Sequence, residues 1–297
     1  MINPVTTAER PISESALRTL LLQYRKENWN GIQTEADQRR VVDDLLRSDP
    51  RLPLRHIEPY FFVSPQSRIL DLGSGIGSFV VACREQGMKA FGVEPDRIGM
   101  GAKITSLGIA RRRLSEPVFA SGVGEALPFA DAVFDLVVMN QVIEHVADQA
   151  LVLKETVRVL KRGGAVYVAC PNYMRFYEPH YKIFWAPLLP KALGRFYLRL
   201  RRRSPALLNQ LTYTTNRRLR SLFAALGPDF KVLDLHREDF LTKRSASSFT
   251  GASTRLVARL THLPLLGPVL LRMVLWYASI SEGGCEMLIV RTPKAAV

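Results

Sequence analysis

The sequence predicts an α/β fold, a doubly wound parallel sheet with helices on both faces. Three observations carry this. Short apolar strings alternate with helix-like segments between residues 68 and 171, the pattern that builds strand–helix–strand units. The string AVFDLVVMN (132–140) is apolar at odd and even positions alike, as strands covered on both faces are. The string RILDL (68–72) runs into the glycine-rich turn Gly73-Ser74-Gly75-Ile76-Gly77, and such sheets bind ligands beyond the carboxyl ends of their strands.

The elements follow in order. Leu17, Leu20, Leu21 and Tyr24 recur at helical spacing, Val41, Val42, Leu45 and Leu46 form a second stripe, and Ser48-Asp49-Pro50 ends it. Residues 49–66 read as a connector. After the strand at 68–72, SFVVACREQG is a helix closed by Gly87. KAFGVE (89–94) is a second strand, 96–108 a helix weakened by Gly99 and Gly101, PVFAS (117–121) a third strand and 132–140 a fourth. The helix 147–161 places Leu153, Val157 and Leu160 on one side, with Lys161 and Arg162 at its negative end and Gly163-Gly164 as its stop. AVYVACP (165–171) is a fifth strand. A helix at 216–226, capped by Asn216, precedes a sixth strand at 230–235 and a seventh at 285–292. Two insertions interrupt the pattern, at about 172–211 and 236–284, so a helical flap (1–60) precedes one domain (61–297) whose core is 66–172.

At 297 residues and 47% hydrophobic content the chain can bury a sizeable core, which excludes a disordered tail or a disulfide-stapled scaffold. The net charge of +14 is uneven. Residues 1–171 hold 21 Lys and Arg against 20 Asp and Glu, net +1; residues 172–297 hold 20 against 7, net +13. That excess suits an anionic partner: a membrane surface, a phosphorylated substrate or a nucleic acid. Cys83, Cys170 and Cys285 are far apart in apolar strings and read as buried free thiols in a reducing compartment. Neither they nor the five histidines show metal-ligand spacing, so no metal is expected. The first residues show no basic-then-apolar leader pattern, so secretion is not expected and a cytoplasmic location is the expectation.

The glycine turn is a cradle that lets the backbone approach a ligand. A dinucleotide site needs a third glycine where Ser78 stands, and Asp71 just before the loop would repel a pyrophosphate. A ligand bearing an ammonium group and no phosphate fits better. Glu94, ending the second strand, can accept both hydroxyls of a ribose.

The segments LDLGSGIGSFV, FGVEPD, GEALPFADAVFDLVVMNQVIEHV and ETVRVLKRGGAVYVACPN, in unbroken order over about 66–172, resemble the successive motifs of class I S-adenosylmethionine (SAM)-dependent methyltransferases, in particular the broad group that includes the quinone-biosynthesis enzymes. The resemblance implies a Rossmann-like seven-stranded sheet with strand seven antiparallel between five and six. It also implies SAM as cofactor. Asp71, Gly73, Ser74, Gly75 and Gly77 would face its methionine end, Glu94 its ribose, and Pro95 its adenine, with Gly124, Glu125, Ala126 and Asn140 completing the site. The family usually carries an acid where Val123 stands, so adenine recognition here falls to the backbone of Gly124 or Glu125.

Methyl transfer needs a base only for a hydroxyl or an acidic carbon. His145, in QVIEHV after the fourth strand, is the candidate, with an ordinary pKa of about 6.5; the competing reading of this Glu-His pair is a structural hydrogen-bond partner or a helix cap. The segment 171–185 supplies Asn172, Tyr173, Tyr177, Glu178, His180 and Tyr181, an acceptor pocket or a packed lid, and Tyr173 and His180 join His145 as catalytic candidates. Pro171-Asn172-Tyr173 differs from the Asn-Pro-Pro-Tyr order of base-amino methyltransferases, favouring oxygen or carbon acceptors. LGRFYLRLRRR (193–203) interleaves arginine with apolar residues, and the mostly apolar 255–280 is broken by Pro264, Gly267 and Pro268, unlike a spanning helix. These segments either meet the inner membrane surface peripherally or lid an apolar pocket. The expectation is therefore a methyltransferase acting on an oxygen or carbon of a hydrophobic or lipid-linked small molecule. A SAM-binding membrane-surface protein without turnover and an RNA methyltransferase are the alternatives, although nucleic acid is disfavoured because no RNA module accompanies the arginines.

Overall fold

The computed structural model describes residues 12–29, 34–96, 104–235 and 284–293. The helices are α1 (Glu14–Trp29), α2 (Glu35–Arg47), α3 (Leu52–Ile57), α4 (Ser78–Arg84), α5 (Ser106–Arg111), α6 (Gln149–Val159), α7 (Lys191–Leu200), α8 (Ala206–Gln210) and α9 (Asn216–Ala224). The strands are β1 (Arg68–Leu72), β2 (Lys89–Glu94), β3 (Phe119–Ser121), β4 (Phe134–Asn140), β5 (Leu160–Cys170), β6 (Tyr177–Glu178), β7 (Ile183–Phe184), β8 (Phe230–Asp234) and β9 (Cys285–Arg291). Seven of them form one sheet in the order β3-β2-β1-β4-β5-β9-β8. β1 to β5 run parallel, and β9 is antiparallel to both β5 and β8. The expected α/β sheet with its antiparallel last strand is thus observed.

Alternation along the strands feeds two cores. Leu70, Val137, Met139, Val166 and Val168 belong to one face, and Ile69, Leu136, Val138, Ala165 and Tyr167 to the other. Each fully buried aliphatic side chain contributes roughly 1.5–3 kcal/mol, so both layers hold the strand ends firmly. Strand order reverses between β1 and β4, because β2 and β3 follow on one side and β4 and β5 on the other. The loops after β1 and β4 therefore open at the switch point, where such sheets bind ligands.

Several expected boundaries move. α6 stops at Val159, and Leu160 to Gly164 already belong to β5, pairing with β4 through a register shift. Lys161 and Arg162 therefore do not close a helix; Lys161 Nζ binds Asp135 at 2.8 Å and Arg162 meets Asp229 at 3.4 Å. The cap of α9 is Thr215, whose side chain accepts from Arg218 N, so Asn216 is the first helical residue instead. Of the helix expected over 96–108, α5 begins only at Ser106 behind the cap Thr105, and 97–103 lie outside the described residues. The connector 49–66 contains α3, started by Pro53.

The first insertion is an ordered unit. A β6–β7 hairpin, α7 and α8 enclose Tyr181, Trp185, Leu198, Leu208 and Leu211. α7 leaves Leu193, Phe196 and Leu200 exposed. The second insertion, with its 255–280 run, lies outside the described residues apart from Gly284. Among the described residues, no helix is long and apolar enough to cross a membrane. All three cysteines are free and buried.

Candidate functional site

The loop after β1 packs three positive-φ glycines into five residues: Gly73 (φ 72°), Gly75 (51°) and Gly77 (76°). Their reasons differ. A β-carbon on Gly77 would stand 2.5 Å from the Phe119 ring, so this glycine lets α4 start close against β3. A β-carbon on Gly75 would meet nothing within 4 Å, so its backbone is bare to a ligand. Gly73 N and Ser74 N donate to Val93 O at 2.8 and 3.0 Å, fastening the loop to β2. Glu94 ends β2 directly across from it. Its carboxylate accepts from Gly75 N (3.0 Å) and from the Ser106 hydroxyl (2.8 Å).

These residues open on a cavity of about 810 Å³. Gly73, Gly75, Glu94, Pro95, Gly124 and Glu125 line it, together with Gln141, Val142, His145 and Val146 after β4. Its remaining walls come from further off: Tyr24, Asn28 and Trp29 of α1, and Ser204, Ala206, Leu207 and Gln210 around α8. The flap and the first insertion thus face each other across the loop.

Five of the residues expected around the cofactor stand behind these walls. Asp71 is buried, and burial with the nearby Glu94 charge pushes its carboxyl up to about 8. Ser74 is buried with a hydroxyl that finds no hydrogen-bond partner. Gly77 serves the α4–β3 contact, Ala126 bridges to Val123, and Asn140 ends β4 outside the cavity. Glu125 lines the cavity, but its Oε1 accepts from Ala147 N (3.0 Å) and Asp148 N (3.3 Å) and so holds the approach to α6.

Of the three catalytic candidates, only His145 is on the cavity wall. Tyr173 is buried, stacks on Tyr213 at 4.5 Å and hydrogen-bonds Glu178 at 3.2 Å. Burial raises its hydroxyl far above the usual phenol value. His180 sits behind His145, Nε2 to Nε2 at 3.2 Å, with Nδ1 against Glu178 at 2.7 Å. The cluster expected to form an acceptor pocket is instead mostly interior: Asn172, Glu178 and Tyr181 are buried, and Tyr177 faces outward. Glu178 gathers Tyr173, His180 and Tyr181 N around one carboxylate, which explains why a polar segment folds inward. Ser106 and Trp29 carried no signal in the sequence, since only tertiary packing brings them here.

Comparison with known proteins places this geometry. The family described as a methyltransferase domain matches residues 70–168. A ubiquinone/menaquinone biosynthesis C-methyltransferase (UbiE) of Xanthomonas oryzae is 33% identical over 145 residues, 46% of this chain and 55% of that one. A demethylmenaquinone methyltransferase of Chlorobaculum parvum is 31% identical over 140 residues, 44% and 53%. The chain thus spans about half the length of the curated relatives it matches. The solved phosphoethanolamine N-methyltransferase 2 of Haemonchus contortus shares the fold, with a TM-score of 0.52 at 15% identity, over 92% of this chain and 60% of that one. With its sheet order, its glycine loop and its matched motifs, the segment 70–168 belongs to the class I SAM-dependent methyltransferases.

Proposed function

We propose that this protein transfers a methyl group from SAM to an oxygen or carbon of a hydrophobic or lipid-linked small molecule. One observation carries the reading: a single cavity is lined both by the glycine loop with Glu94 and by His145 with an apolar wall from α1 and α8. Bound there, SAM would supply a methyl group on a positively charged sulfur. The chain supplies position. Gly75 offers bare backbone, and Glu94 already accepts two hydrogens, as it would from paired hydroxyls. Glu94 sets a negative field at the loop, and Asp71 behind it adds to that field once a cationic cofactor draws off its proton. Holding two reactants in line can contribute roughly 7–11 kcal/mol to lowering a barrier. Tyr24, Trp29, Val146 and Leu207 give the acceptor an apolar wall, with the His145 imidazole beside it. The relatives named as quinone-pathway methyltransferases support a hydrophobic ring as acceptor, and with it carbon methylation.

A peripheral membrane contact is supported by α7. Leu193, Phe196 and Leu200 are exposed along one stripe, with Arg199, Arg201 and Arg202 exposed beside them, a pattern suited to anionic headgroups. The same stripe would serve a SAM-binding surface protein without turnover. Incubating the protein with tritiated-methyl SAM and a bacterial extract, then separating lipids, RNA, protein and small molecules, tests all of this. Label in lipids or apolar small molecules is expected. Label confined to RNA or protein overturns the acceptor class, and calorimetric SAM binding without any labelling favours the non-catalytic reading.

A further inference from the structure

Behind the cavity wall lies a group of side chains that methyl transfer alone does not account for. Glu144 and His145 occupy the turn after β4, and His180 comes from the β6–β7 hairpin, 35 residues beyond His145. One ligand-type atom from each lies within 4.8 Å of the others. The two histidine Nε2 atoms are 3.2 Å apart, and Glu144 Oε1 is 3.8 Å from His145 Nε2. Two donors bound at about 2.0–2.1 Å to a tetrahedral zinc ion stand about 3.3 Å from one another. The histidine pair already has that spacing, and the Glu144 carboxylate stands just outside it from His145.

Glu144 is the independent observation. It is 0% exposed, and neither of its oxygens accepts a hydrogen bond. A buried carboxylate without donors is costly and calls for a counter-charge. The histidine pair alone needs no ion, since one ring can donate to the other. Glu144 is what that hydrogen bond leaves unexplained.

His180 also has the support that metal-bound histidines have. Its Nδ1 lies 2.7 Å from Glu178 Oε1, which fixes the proton on Nδ1 and turns the Nε2 lone pair toward His145 and Glu144. Glu178 is itself held by Tyr173 and Tyr181 N. The geometry points to a divalent transition-metal site, zinc foremost, with Glu144, His145 and His180 as ligands and Glu178 as the positioning residue for His180. Two imidazoles and one carboxylate suit zinc and its neighbours rather than magnesium or calcium. Three protein ligands with His145 on the cavity wall leave the remaining position toward the cavity. That position suits a hydroxyl oxygen of the acceptor. This last assignment rests on the methyl-transfer reading; the three-ligand site does not.

The test uses the full chain, stripped with chelator and titrated with Zn²⁺ in the calorimeter and with Co²⁺ in the visible spectrum, without SAM. The expected result is one ion per chain, a d–d absorption band with Co²⁺, and a rise in melting temperature, because the ion would join the β4 turn to the hairpin. Replacing Glu178→Gln should weaken zinc binding about tenfold to a hundredfold, and Glu144→Gln or His180→Gln should weaken it further. Circular dichroism in chelator shows whether each variant folds. Absence of a stoichiometric site in the parent chain at up to about 1 mM metal, the scale of weak adventitious binding, overturns the proposal whatever the variants do. Undiminished binding in folded Glu144→Gln and His180→Gln also overturns it. Failure of the zinc-loaded parent to bind SAM would count against the cofactor reading and not against this site.

Discussion

Replacing Asp71→Asn isolates the electrostatics beneath the glycine loop. Asp71 is buried, and its carboxyl is raised from an ordinary 3.8 to about 8, first by burial and then by the Glu94 charge. A carboxyl raised in the folded state keeps its proton while the unfolded chain releases it. Its unfavourable contribution is therefore absent below about pH 3.8, grows as pH rises toward about 8, and is constant above that. Each pH unit in the window is worth about 1.4 kcal/mol, so about four units set an upper bound of roughly 6 kcal/mol. Relaxation around the ionised group brings the real figure below this bound. Asparagine keeps the shape of the protonated acid and cannot ionise.

Urea unfolding of both proteins across this range is the assay. The variant should match the parent at the acid end and become the more stable protein, by several kcal/mol, toward about pH 8. Glu144 is also raised, but it is present in both chains and cancels in the difference. Parallel pH profiles for the two proteins would refute the reasoning. The same field has a functional side. A cationic ligand favours ionised Asp71, so SAM uptake by the parent at about pH 6.5 should release a proton, visible as a buffer-dependent calorimetric heat. The variant should bind more weakly and without that proton.

Gly75→Arg should abolish SAM binding by filling open space at the bare stretch of the loop; calorimetry giving the parent affinity would place the cofactor elsewhere. Gly77→Ala should destabilise the fold by about 2–4 kcal/mol, combining a strained φ of 76° with a 2.5 Å approach to Phe119, as read from urea midpoints. Replacing Leu193, Phe196 and Leu200 together with Ser should end co-flotation with anionic vesicles while leaving the melting temperature nearly unchanged, since all three are exposed. A parent protein that does not float removes the membrane contact.

The sheet was legible because its information is local. The apolar string RILDL, buried from Ile69 to Leu72, and the two-sided apolar string at 132–140 need no knowledge of distant residues, and the glycine loop announces itself by spacing. Errors fell where two local rules compete. Lys161-Arg162-Gly163-Gly164 is a good helix ending, but β5 gains more by pairing back toward Phe134. Thr215 and Asn216 are both capping residues, and backbone geometry alone selected the first. At the site, Tyr173 and His180 looked available because polar and aromatic residues beside strand five resemble a pocket. A segment of that composition folds inward when one carboxylate satisfies several donors, as Glu178 does. No period or spacing encodes that, nor the meeting of Glu144 with His180.

The uneven charge takes on a narrower meaning once its members are placed. Several arginines of the basic C-terminal part are committed within the fold. Arg220 pairs with Asp234 at 2.7 Å, Arg218 binds Gln149 at 2.6 Å, Arg203 reaches Asp37 at 3.5 Å, and Arg291 donates to the carbonyls of Val157 and Leu160. These brace β8, α6, the flap and the end of α6, and reversing their sign would damage folding before it touched recognition. Arg199, Arg201 and Arg202 are different: they are exposed at the end of α7 beside its apolar stripe. A charge count treats both groups alike, whereas the first is already engaged within the fold. Among the described residues, the basic excess is thus partly the means by which the insertion and late strands are fastened to a nearly neutral core.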